Sequence, residues 1–289
     1  DVQLGLGWFY DTPIPAMRTH LTTTALGATP LPWANSLDVQ QIGGPLWYTE
    51  MRDPAVEGAG SATTRSWGSA GLRPQGSGVR AGPMMDVRFE PFSGSEPGNP
   101  RIIVWNDDGI SGEASLRREG TMAGHASKPF QLRSMPQPAQ MSRFTLDLDA
   151  KRSVPWSRYA TQVKASWDFT CDTPSTPAHA MRILNIRPTG DFDMYGRAPA
   201  GRSFRLDIPI DMVDLAGRVV DTTLMVSYDD GRTWANVTTT KDSNTRWHAV
   251  LTHPDKPGGF VSLRTAVTTD NGHKASLTTI RAYGLAPAG

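Results

Sequence analysis

Tyr159-Ala160-Thr161-Gln162-Val163-Lys164-Ala165-Ser166-Trp167-Asp168-Phe169 is the stretch that decides the fold class of this chain. Its odd positions are Tyr, Thr, Val, Ala, Trp and Phe, and its even ones are Ala, Gln, Lys, Ser and Asp. A period of two puts one set against a core and the other in water, which is the pattern of a half-buried strand. The same alternation recurs downstream. Val220, Thr222, Leu224, Val226 and Tyr228 alternate with Val219, Asp221, Thr223, Met225 and Ser227; Trp247, Ala249 and Leu251 follow, then Val261, Leu263, Thr265 and Val267. Asp270-Asn271-Gly272 leads into Ala275, Leu277 and Thr279, and Asn-Gly between alternating runs is a strong hairpin signal because both residues tolerate positive φ. With Met181–Arg187, Ser203–Ile210 and Arg232–Thr239, the last hundred or so residues hold short strands at the spacing of an immunoglobulin or fibronectin-III-like sandwich.

Upstream, Ile102–Trp105, Ala114–Arg118, Pro129–Arg133 and Ser142–Asp149 read as strands, and the Pro136/Pro138 pair forbids a helix between the last two. Between 52 and 83 the chain is mostly Gly, Ser, Ala and Arg, which predicts a long loop or a stretch that lies over another surface. The run Cys171-Asp172-Thr173-Pro174-Ser175-Thr176-Pro177 has the composition of a linker. The expectation is therefore an all-β chain of two tandem antiparallel β-sandwiches: a jelly-roll-like one over 1–171 and an immunoglobulin-like one over 178–289.

Composition agrees with this. The 289 residues include 28 Gly and 23 Pro spread along the chain, leaving few stretches long enough for helices. Lys and Arg total 29 against 28 Asp and Glu, so the dense positive excess that a nucleic-acid or polybasic membrane-surface protein needs is missing. No apolar run reaches the roughly 18 residues of a membrane span. A single cysteine, Cys171, rules out an intramolecular disulfide, and the six histidines lack metal-ligand spacing, so no cofactor is expected. The exception weighed is a structural calcium ion in a loop such as Asp191-Phe192-Asp193, which supplies only two of the six to eight oxygens calcium takes. Beginning at Asp1 rather than Met suggests a processed product or an excised fragment.

The sharpest local motif is Ser227-Tyr228-Asp229-Asp230-Gly231-Arg232-Thr233-Trp234, which fits S-x-D-x-G-x-T-W, the Asp-box of sialidases and related propellers. Its physics is that of a hairpin: Asp229 accepts from turn amides, Gly231 takes positive φ, and Trp234 covers the turn on which Ser227 also sits. A propeller needs several copies at blade spacing, and the chain has one. No Gly-x-Ser-x-Gly elbow occurs, and Gly120-Thr121-Met122-Ala123 lacks the serine that would make it nucleophilic. Thr145, Asp147 and Asp149 share one strand face opposite Phe144, Leu146 and Leu148, as a solvated face would. Trp8, Trp33, Trp47, Trp67, Trp105 and Trp156 could form a sugar-stacking platform, although Trp105 and Trp167 fit strand cores better.

The C-terminal run resembles a known family. Val226-Ser227-Tyr228-Asp229-Asp230-Gly231-Arg232-Thr233-Trp234, His253-Pro254, Gly258-Gly259-Phe260-Val261-Ser262-Leu263-Arg264 and Ile280-Arg281-Ala282-Tyr283 are similar to the terminal segment of large secreted subtilisin-like serine proteases of streptomycetes and other actinobacteria. Val163–Thr170 and Ala198-Pro199-Ala200-Gly201-Arg202 are similar to the part preceding it, and 23 arginines against six lysines suit a GC-rich genome. The family's catalytic signatures, Asp-Ser/Thr-Gly, His-Gly-Thr-His and Gly-Thr-Ser-Met-Ala, do not stand in this chain. The resemblance implies a secreted, extracellular, non-enzymatic accessory region that braces a protease, holds substrate or binds a surface. Its implied partner is a catalytic subtilisin-like domain, on the same polypeptide or on a separately processed chain. The alternative from another class is a glycan-binding module or an Asp-box glycoside hydrolase relative.

Overall fold

The computed structural model describes residues 72–95, 109–129, 131–137, 140–154, 157–171, 179–193, 195–211 and 216–287, together with the backbone of short strands between 17 and 67 and at 101–104. Those short strands are β1 (Met17–Thr22), β2 (Leu31–Trp33), β3 (Ser36–Gln40), β4 (Leu46–Met51), β5 (Ala55–Glu57), β6 (Ala62–Trp67) and, further on, β9 (Arg101–Val104). They pair antiparallel as β1 with β6, β2 with β5, and β3-β4-β9. The chain is all-β, built of open, mainly antiparallel sheets.

Among the described residues the largest sheet has nine strands. Its members are β10 (Ile110–Arg118), β11 (Thr121–Ala126), β13 (Ser142–Arg152), β14 (Gln162–Cys171), β18 (Arg197–Pro199), β20 (Val219–Ser227), β21 (Ala235–Val237), β24 (Phe260–Thr269) and β25 (Lys274–Ala286). They run in the order β11-β10-β13-β14-β25-β24-β20-β21, with β18 added parallel to the end of β25. Two shorter sheets cover one of its faces. The first is β12 (Gln131–Pro136), β8 (Met84–Gly94), β7 (Leu72–Ala81) and β15 (His179–Ala180), in that order. The second is β16 (Asn185–Ile186), β19 (Ser203–Asp211), β23 (Arg246–Thr252) and β22 (Thr239–Lys241), with β17 (Thr189–Gly190) also on β19.

Alternation decides which residues enter the space between these layers. On β14 the odd set Val163, Ala165, Trp167, Phe169 and Cys171 is buried, and on β13 so are Phe144, Leu146, Leu148 and Ala150. Trp167 is the largest of them. Its indole N–H donates to the Leu184 carbonyl at 2.8 Å, and its ring lies 6.2 Å from that of Phe89 on the covering sheet. The backbone of β7 passes directly over it: a Cβ on Gly76 would sit 3.3 Å from the indole and 3.2 Å from Ile183. Gly76 keeps its backbone satisfied through Asn185, whose side-chain amide accepts from Gly76 N at 3.1 Å and donates to Gly76 O at 2.9 Å. On the other covering sheet Phe204, Leu206, Ile208 and Ile210 alternate inward with Trp247, Ala249 and Leu251.

Three expectations change. The stretch 52–83 is not a long loop, since it contains β5, β6 and all of β7. The buried residues of β7 are Arg73, Pro74, Gln75, Gly76 and Arg80, so no apolar periodicity marks it as a strand. Nor does the division between 171 and 178 fall between sheets. β14 pairs antiparallel with β25 from Gln162↔Ile280 to Asp168↔Lys274, so one sheet draws strands from both sides of the expected linker. Residues 172–178 themselves, and most of the expected sandwich upstream of 72, lie outside the described residues. At the start of β20 a register shift between Val219 and Asp221 turns Val219 inward and Val220 out, reversing the reading of that residue as core.

Candidate functional site

The face of the nine-stranded sheet turned away from the covering sheets carries a groove of about 320 Å³. Strand register builds it. Glu113 on β10 lies opposite Asp149 on β13, which lies opposite Lys164 on β14 and then Thr278 on β25. The next outward row is Ser115, Asp147, Ser166 and Ser276. These are the polar half of the alternation whose apolar half fills the core, so packing against Trp167 and Leu148 fixes their direction.

The two aspartates of the groove each have a cationic partner. Asp149 Oδ2 is 2.7 Å from Lys164 Nζ, and its other oxygen accepts from the Gln162 amide at 3.0 Å. Partial burial works against the Asp149 carboxylate, but the Lys164 and Gln162 bonds outweigh it and hold its pKa below the ordinary value. Asp147 pairs with Arg117 at 2.7 Å, and Glu113 with His125 at 3.3 Å. Next to the groove, Arg143 grips Asp168 at 2.6 and 2.7 Å, a charge-assisted bond that raises the Arg143 pKa. On the far side Arg264 Nε reaches Thr278 Oγ1 at 3.4 Å and stacks its guanidinium 4.4 Å over the ring of Trp234.

Trp234 belongs to the Asp-box turn, where the four motif residues meet. Ser227 Oγ donates to Asp229 Oδ1 at 2.8 Å and accepts from Gly231 N at 2.9 Å. Asp229 also accepts from Thr233 N at 2.9 Å and from Thr233 Oγ1 at 2.7 Å. The Thr233 and Ser227 bonds drive its pKa far below the carboxylate range. Trp234 Nε1 closes the turn on the Gly231 carbonyl at 2.9 Å. Gly231 stands at φ +82°, and a Cβ there would come within 2.7 Å of Ile280. Asp230, also left-handed, clasps the Arg281 guanidinium at 2.7 and 2.9 Å and so ties the turn to the bulge between β24 and β25.

The most perturbed imidazole is elsewhere, between the layers. His253 is buried, with Nδ1 3.1 Å from the Tyr228 hydroxyl and Nε2 3.5 Å from that of Tyr283. The rings of Phe204, Tyr228 and Tyr283 surround it at 5.5 to 5.9 Å. Desolvation lowers its pKa to about 4 and raises that of Tyr283. Cys171 is buried too.

Asp193 spends its carboxylate on Tyr195 N, Arg197 N and the Arg197 guanidinium at 2.8 to 2.9 Å, the bonds of a turn. Among the described residues there is no cluster of three or more His, Cys, Asp or Glu side chains able to hold a metal, and no helix is long and apolar enough to cross a membrane. Trp8, Trp105 and Trp156 lie outside the described residues, as do the side chains of Trp33, Trp47 and Trp67. Sequence reasoning set Asp147 and Asp149 on a solvated face but missed Glu113, Lys164, Ser276 and Thr278 as their neighbours. The polar phase of each strand was visible; that β14 borders β25 was not.

A scan of family models finds no match for this chain, and a search of curated proteins finds none either.

Proposed function

We propose that this chain is a non-catalytic accessory region of a secreted subtilisin-like serine protease, presenting the outer face of its long sheet as a contact surface. The observation that carries this reading is the employment of its reactive side chains. Ser227 and Asp229 are consumed by the turn they build, and both nitrogens of His253 face tyrosine hydroxyls inside an aromatic cluster. A nucleophile and base need to reach one another and a substrate, and these three side chains are committed to structure instead.

The finer fold reading belongs to the same proposal. From 185 to 286 the strand orders β16-β19-β23-β22 and β25-β24-β20-β21 match the A-B-E-D and G-F-C-C′ layers of an immunoglobulin or fibronectin-III-like sandwich. On this reading β14 joins the free side of strand G, so the N-terminal strands extend the second layer rather than forming a separate tandem sandwich. The Asp-box is the C–C′ hairpin. Its carboxylate and serine being internally bonded favours the accessory reading over an Asp-box hydrolase.

The test is activity-based labelling. The chain incubated with a serine-directed fluorophosphonate and assayed on unstructured peptide substrates is expected to show neither stoichiometric label nor hydrolysis, and its gene to encode the Asp, His and Ser signatures of a subtilisin domain beside it. One serine labelled at full yield refutes the proposal.

A further inference from the structure

We infer that the groove over β10, β13, β14 and β25 is a binding site for a neutral polyhydroxylated ligand, a short oligosaccharide. The inference rests on the groove alone. It stands or falls independently of any link to a protease.

The class of ligand follows from what the groove offers and what it withholds. It lies inside the sheet and not at its edge, over four strands that each have a neighbour on both sides, so an extended peptide cannot add itself as another strand. Asp149 is balanced by Lys164 and Asp147 by Arg117, while Glu113 faces His125, which is charged only when protonated. An anionic ligand therefore finds no positive potential to attract it and would have to break an existing pair to reach Lys164 or Arg117.

What remains free is hydrogen-bonding capacity of both signs. A carboxylate has about four lone-pair sites; Asp147 accepts from Arg117, and Asp149 from Lys164 and Gln162, which saturates neither. Lys164 has three ammonium hydrogens, of which the Asp149 pair takes one. Ser115, Ser166, Ser276 and Thr278 add hydroxyls that donate and accept. Sugar hydroxyls are likewise donor and acceptor at once, so a polyol meets this surface without leaving a charge or a polar group unpaired. Four strands at about 4.8 Å spacing make a track roughly 14 Å across, and about 320 Å³ falls at the small end of ligand sites. Arg264 stacked on Trp234 stands beyond Thr278, at one end of the track.

The experiment is a titration of the isotopically labelled full chain with neutral cello-, xylo- and manno-hexaose, with polygalacturonate as the charged comparison, read by amide chemical shifts and calorimetry. The expected result is saturable binding of at least one neutral hexaose with shifts at Ser166, Ser276 and Thr278. The pair-deleting double variant Asp149→Ala/Lys164→Ala should weaken it at least about tenfold. Ser166→Tyr, which fills the groove floor and leaves the ion pairs alone, should abolish it, and Arg205→Ala on the opposite layer should leave it unchanged. Three results overturn the inference: no neutral hexaose binding at millimolar concentration, binding that survives both Ser166→Tyr and the double variant, or binding of polygalacturonate alone that added salt removes.

Discussion

Acid should loosen this protein well before its carboxylates titrate, and His253 is the reason. An imidazole in an unfolded chain titrates near 6.5, whereas burial against Phe204, Tyr228 and Tyr283 lowers it to about 4 in the fold. Above pH 6.5 both states hold a neutral ring and nothing is lost. As pH falls from 6.5 the unfolded chain takes up a proton that the folded one refuses, and stability declines by about 1.4 kcal/mol per unit. The decline levels off near pH 4, where the folded ring protonates as well, after a total of about 3 kcal/mol. The carboxylates held low by their partners, Asp149 and Asp230 among them, act in a lower window, because their contribution is complete above the unfolded value near 4 and is lost beneath it. Urea unfolding at half-unit steps from pH 7.5 to 4.5, for the native chain and for His253→Gln, isolates the effect. His273 is also depressed, chiefly by desolvation, but it is common to both proteins and cancels in the difference. The advantage of the native chain over His253→Gln should shrink by about 2 kcal/mol or more across that range. A difference that stays flat with pH refutes the reasoning, as does a His253 ring resonance in the folded protein titrating near 6.5.

Two substitutions test the packing that shapes the groove from beneath. Trp167→Phe removes the indole donor from the Leu184 carbonyl and leaves a void under Gly76, and should cost about 2–4 kcal/mol in urea unfolding; a loss under 1 kcal/mol would mean the indole is not the centre of the layer contact. Gly112→Ala, at φ +147° with the new Cβ 2.1 Å from the Asp149 carbonyl, should force β10 and β13 apart and lower stability by about 1–3 kcal/mol, and a variant as stable as the native chain would place β10 differently.

What the sequence disclosed and what it hid divide along one physical line. Strands with one apolar face were legible: Phe144 to Leu148, Val163 to Phe169, and Trp247 to Leu251 alternate in the text as they do in the layers, while Cys171, read as the start of a linker, is the buried last residue of β14. β7 was illegible because its inward residues are Arg73, Gln75 and glycine, held by hydrogen bonds such as Arg73 to Gln75 at 2.7 Å and Gly76 to Asn185. Periodicity detects apolar burial and is blind to polar burial. The Asp-box turn was legible as a turn because its internal bonds span no more than four residues, whereas its outward contacts, Asp230 to Arg281, Trp234 to Arg264 and Tyr228 to His253, were not. The groove was half legible. Asp147 and Asp149 announce a polar face, but Thr278 stands opposite Lys164 only because chain segments more than a hundred residues apart pair, and no local pattern encodes that.

That pairing also decides what kind of unit the chain is. A Pro/Thr/Ser stretch at 172–177 is the composition of a linker, and linkers join parts that fold separately when few contacts cross them. Here the crossing contacts are a strand ladder between β14 and β25, the Trp167 bond to Leu184, and the Asn185 clasp on Gly76. Cutting the chain at the linker would strip β25 of its neighbour and bare the hydrogen-bonding edge that β14 now covers, while Trp167 would lose its carbonyl partner. It would also divide the groove, leaving Lys164 and Ser166 on one piece and Ser276 and Thr278 on the other. The surface assigned to recognition therefore exists only when both halves are joined, and selection for that surface would hold the halves together as firmly as selection for stability.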